Sequence, residues 1–212
     1  MTLPRPLSQD ELYAMGKSII ADIQSAFDEV SIEGGITISE ALAMDNYETE
    51  EVRREARAQD TYAHWQELDV TWMDPGGSAM SFMDPVGFHF HFPAYLVHDI
   101  RIHIGVLTNG HCNFDPFYRL QADGEKGQSY FTNFNKDQRR CCALFLLFRA
   151  ELEYIEYINY FPGEGETEYI LNELYDYGTP FRILHVAWWE FLTDEEKRQL
   201  TGRWLLLNSE PL

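Results

Sequence analysis

The sequence is short of positive charge. Its 212 residues hold 16 lysines and arginines against 35 aspartates and glutamates, a formal net charge of −19 with histidine neutral. That deficit sets the chain against polyanions, so direct binding to nucleic acid or to an anionic membrane surface is not expected. Cysteine is scarce as well. Cys112, Cys141 and Cys142 form no CxxC pair and the last two are adjacent in an apolar run, which reads as reduced thiols packed as small hydrophobes. No stretch approaches eighteen consecutive apolar residues, and MTLPRPLSQDEL at the start has no apolar signal region or small-residue cleavage site. A soluble cytoplasmic protein is the expectation.

Several kinds of chemistry are missing. There is no G-x-S-x-G elbow, and the ALFLLF run behind Cys141 and Cys142 would raise a thiol pKa rather than activate it. GEGE at 163–166 is not a phosphate loop, because its glutamates repel an anion and no Gly-Lys-Ser/Thr follows. No cofactor is expected.

What is present suits a folded core, with 45% hydrophobic and 15% aromatic residues. SQDE at 8–11 has capping-box spacing, and Leu12, Met15, Ile19, Ile23, Ala26 and Phe27 follow at helical intervals, so a helix is predicted from about residue 9 to 29. TISE at 37–40 offers a second capping box. ETEEVRREARAQDTYAHW reads as an exposed helix ending near Trp65, and 69–81 as loop. After the DPVG turn at 84–87, Phe88, Phe90 and Phe92 alternate with His89 and His91, which predicts a short strand; Pro93 then starts a helix that ends near Gly105. The stretch 108–135 reads as loop. A core helix follows Asn135, carrying Cys141, Leu144, Phe145, Phe148, Leu152 and Ile155 on one stripe. Beyond Phe161-Pro162-Gly163 come a strand-like FRILHVAWW and a last helix capped by TDEE at 193–196 and running through Leu207. The expected class is α+β, mostly helical, with five or six helices and a few short strands. A core of 1–160 would carry a C-terminal extension of 161–212.

Two groups of residues are candidates for function. His-x-His on a strand puts two imidazoles on one face, and with His98 and Asp99 a mononuclear metal site can be drawn from His89, His91, His98 and Asp99. The His98-Asp99 pair resembles the histidine–aspartate dyad of metal-dependent phosphohydrolases. The other group is acidic and tyrosine-rich: between Arg149 and Gly178 lie eight acidic residues and six of the twelve tyrosines. Tyrosine supplies amphipathic contact area and clustered carboxylates steer a basic partner. The candidate partner-binding residues are Glu153, Glu156, Tyr157, Tyr160, Glu164, Glu166, Glu168, Tyr169, Glu173 and Asp176.

SAMSFMDPVGFHFHFPAYLVHDI at 78–100 resembles the central motif of a family of small uncharacterised bacterial proteins, which reads approximately Ser-Ala-Leu-Ser-Phe-Leu-Asp-Pro-x-Gly-Phe-Arg-Phe-Tyr-Leu-Pro-Ala-Tyr. ISEALAMDNY, ARAQDTYAHWQEL and the helix after Asn135 are similar to that family's flanks, for a coverage of about 20–158. His89 and His91 stand where the motif has arginine and tyrosine, so the histidines are not the family's shared chemistry. The resemblance implies architecture and no activity. By analogy of class, small acidic bacterial proteins of this kind are often immunity or antitoxin partners. The leading expectation is a non-enzymatic immunity protein that neutralises a cognate toxin by covering a basic surface. The alternatives are a metal-dependent hydrolase using the histidine cluster and a structural or scaffold subunit.

Overall fold

The computed structural model describes residues 4–74, 76–107, 113–121, 130–160, 173–174 and 179–203. Among them there is no strand. The helices are α1 (Gln9–Ala26), α2 (Ile38–Asp45), α3 (Glu50–Arg57), α4 (Val70–Met73), α5 (Pro85–His103), α6 (Pro116–Leu120), α7 (Lys136–Tyr160), α8 (Pro180–Ile183) and α9 (Asp194–Arg203), joined by short 3-10 turns. The expected α+β class is therefore corrected to a helical one. Both expected strands are helical: 88–92 lies inside α5, and FRILHVAWW runs from α8 through a π turn at Leu184–Trp188 into a 3-10 turn at Trp189–Phe191.

Side-chain caps fix most helix starts. Ser8 Oγ accepts from the Glu11 N–H at 3.3 Å while Glu11 accepts from the Ser8 N–H at 2.8 Å, a complete capping box. Thr193 and Glu196 form another, at 3.2 and 2.7 Å. At α2 the box is only half closed. Thr37 caps the Glu40 N–H, but the Glu40 carboxylate turns to Arg57 at 2.8 Å. The free N–H groups of α2 are met instead by distant side chains: Asp60 takes Ser39 N–H at 2.9 Å and Tyr62 Oη takes Ile38 N–H at 3.3 Å. The charged helix α3 stops at Arg57 rather than near Trp65, whose buried indole N–H donates to the Phe27 carbonyl at 2.9 Å.

Three further helices begin with a capping residue followed by proline. Asp84-Pro85, Asp115-Pro116 and Thr179-Pro180 open α5, α6 and α8, with the side chain of the first residue accepting a first-turn N–H in each. Pro93, expected in a first turn, sits in the middle of α5.

The described residues fall into two compact units, one within Met1–Ile19 and Lys136–Leu212, the other within Ile20–Asn135. In the first of them α7 packs on α8 and on the turns that follow it. In that unit every residue of α7 from 141 to 148 is buried, including Cys141, Cys142, Phe145 and Phe148, and the Tyr154 hydroxyl donates to the Pro4 carbonyl. In the other unit α5 is the central element. Its Phe88 and Phe92 stack at 4.7 Å and meet Phe131 and Phe134 in an aromatic cluster that Phe27 joins. Among the described residues, no helix is long and apolar enough to cross a membrane.

Candidate functional site

The helical conformation of α5 takes apart the proposed histidine site. On a strand His89 and His91 would share a face; at about 100° per residue on a helix they point apart. His89 lies against Phe27 and Phe134, with ring centroids 5.9 and 4.9 Å away. His91 is fully buried. Its Nδ1–H donates to the Gly87 carbonyl at 2.7 Å, so the bare Nε2 accepts the Tyr62 hydroxyl at 2.8 Å. His98 is half-buried, and the Asp99 carbonyl and carboxylate both face His103 Nδ1, at 2.8 and 3.6 Å. No group of three or more His, Cys, Asp or Glu side chains that could hold a metal occurs among the described residues.

Sequence reading missed the polar groups that hold α5 in place. Asp74, in a stretch read as loop, is completely buried and accepts the Tyr95 hydroxyl at 2.8 Å and the Ser78 N–H at 3.1 Å. Asp84 Oδ1 accepts two backbone N–H groups, from Gly87 at 2.8 Å and from Ile36 at 2.9 Å. These carboxylates have donors around them, as a buried acid requires.

The acidic candidates on α7 behave differently. Glu153, Glu156, Tyr157 and Tyr160 fall at i, i+3, i+4 and i+7, one stripe of the helix. Glu151, two residues earlier, faces the other way. It is buried and spent on a bidentate pair with Arg203, both bonds 2.8 Å. Glu153 has no such partner: its Oε2 is buried without a hydrogen bond. Burial, reinforced by the charges of Glu156 and Glu173 against the pull of Arg149, lifts its pKa to about 7. So Glu153, Glu156 and Glu173 are brought together; Tyr157 is half-buried and Tyr160 is exposed. Glu164, Glu166, Glu168, Tyr169 and Asp176 lie outside the described residues.

A raised carboxyl pKa means the folded chain holds a proton that the unfolded chain has released, between the ordinary value of 4.5 and about 7. The stabilising contribution is complete below that window and lost as pH rises through it. Glu153→Gln should therefore match the parent protein near pH 4.5 and exceed it at pH 8. Since the carboxyl is partly exposed, the expected gain is reduced to about 1 kcal/mol. Urea unfolding at the two pH values checks it; a mutant that loses stability at pH 8 would mean the carboxylate has an internal use.

No curated protein and no solved structure matches the chain. A family model does match, over residues 15–160, close to the 20–158 covered by the motif resemblance. It is that of DUF6714, a family of unknown function, and the chain belongs to that family.

Proposed function

We propose that this chain is a non-enzymatic acidic binding protein that receives a basic protein on the Glu153–Glu156–Glu173 face, and that it acts as an immunity protein covering the basic surface of a toxin. The observation that carries this reading is Glu153, a partly buried carboxyl with like charges beside it and no hydrogen-bond partner for its buried oxygen. Such a group costs stability as it stands, and an incoming guanidinium or ammonium would relieve it. The net charge of −19 supports the same reading, because it speeds encounter with a cationic surface. Tyr157 and Tyr160 on the same stripe add the amphipathic area that interfaces favour.

The experiment is association with a basic protein encoded next to this chain's gene, followed by surface plasmon resonance over a range of salt. Association should slow as salt rises, and the triple reversal Glu153→Arg, Glu156→Arg, Glu173→Arg should weaken binding by about a hundredfold. Near pH 6 complex formation should also release protons, since pairing with a cation ionises a Glu153 whose pKa is about 7. Reversals that leave both affinity and association rate unchanged would place the interface elsewhere.

A further inference from the structure

A cleft of about 390 Å³ lies between α5 and the chain that leads from the Trp65–Glu67 turn into α4. One wall is a single stripe of α5, where Ala94, His98 and Arg101 follow at i, i+4 and i+7. The opposite wall presents Glu67 and Asp69, and Leu107 contributes apolar surface. Arg101 is half-buried, yet among the described residues its guanidinium has no hydrogen bond and no ion pair, even with the two carboxylates that line the same cleft. This is unexpected in a chain with 35 acidic side chains, because a partly desolvated guanidinium gains from a carboxylate whenever one is in reach. Arg101 and the two carboxylates thus line one cleft without an ion pair within 4 Å.

That arrangement selects its own ligand. A simple anion would be repelled by Glu67 and Asp69, and a simple cation by Arg101. A molecule with both charges satisfies both walls. We infer that the cleft binds a free α-amino acid as its zwitterion, the carboxylate on Arg101 with His98 beside it and the ammonium on Asp69 and Glu67. Glu67 Oε2 already accepts the Ala63 N–H at 3.1 Å, which leaves Oε1 for the ligand, and Asp69, which has an interaction of its own, takes the ammonium as a further partner. Ala94 and Leu107 favour a small apolar side chain, and the volume is within the range of small-molecule sites.

The test uses L-leucine against the intact chain, by calorimetry and thermal shift, beside N-acetyl-L-leucine, which lacks the ammonium, and 3-methylbutylamine, which lacks the carboxylate. Leucine should bind saturably with Kd on the order of 1 mM, and loss of either charge should weaken binding at least about tenfold. Arg101→Gln should do the same to leucine, as should the exposed Asp69→Asn, which serves if the first variant unfolds. The inference is overturned if neither leucine nor any other standard amino acid binds saturably up to about 20 mM, or if either single-charge analogue binds as tightly as leucine.

Discussion

Gly87→Ala should lower the stability of the chain by about 3 kcal/mol or more, read as a fall in the urea midpoint. The sign is opposite to what helix propensity predicts, since Gly87 lies in the first turn of α5 and alanine gains about 1 kcal/mol over glycine within a helix. Space decides against it. A Cβ built on Gly87 meets the Ile36 carbonyl oxygen at 2.3 Å and the Asp84 carboxylate at 2.9 Å, and a Cβ on Gly35 meets the Gly87 nitrogen at 2.6 Å. Two glycines let the 34–36 segment lie directly on the helix start, where Asp84 Oδ1 ties both backbones together. Alanine at 87 must push that segment away and break the Ile36 bond. Gly76, which has nothing within 4 Å of its Cβ, is the control and should tolerate alanine with little change.

Acid should act through His91. Burial lowers its pKa to about 4, even though the hydrogen bond to Gly87 and the charges of Asp60 and Asp84 push the other way. An imidazole that titrates near 6.5 when unfolded and near 4 when folded takes up its proton on unfolding throughout that window. Its contribution is whole above pH 6.5 and lost as pH falls toward 4, a loss on the order of 3 kcal/mol. His91→Phe cannot titrate. The variant should be less stable at pH 8 by about 1–2 kcal/mol, because the Tyr62 hydroxyl and Gly87 carbonyl lose their partner, and its stability should fall less steeply from pH 6.5 to 4. Equal slopes for mutant and parent would remove His91 from the account of acid sensitivity.

These residues show what could be read in the sequence and what could not. Caps at Ser8, Thr37 and Thr193 were legible, because a capping residue and its target N–H are three positions apart on the chain. The α5 strand was a misreading with a physical cause. Phe88, Phe90 and Phe92 do alternate with histidines, but the helix is buried on nearly every side, so hydrophobic period carries no information there. The signal that outranks it was in view: Asp84-Pro85 is a cap followed by a residue preset for the first helical turn, as are Asp115-Pro116 and Thr179-Pro180. Taking DPVG for a turn hid the start of α5 and moved Pro93 to a helix end it does not occupy.

The acidic face was legible as composition only. Sequence places Glu151 and Glu153 in the same acidic stretch, yet one is neutralised by Arg203 from more than fifty positions away and the other has no such partner. Asp74 and Arg101 gave no local sign of their surroundings, since what distinguishes each is a neighbour, or the lack of one, set by tertiary packing.

Cys141 and Cys142 lie together where α7 is buried on every side, 1% and 0% exposed, and burial raises the Cys142 thiol well above its ordinary range. Alkylating reagents consume thiolates, so these two sulfurs stay inert while the helix is packed and react only during its excursions from the native state. The rate at which they are modified is a built-in clock for the opening of α7.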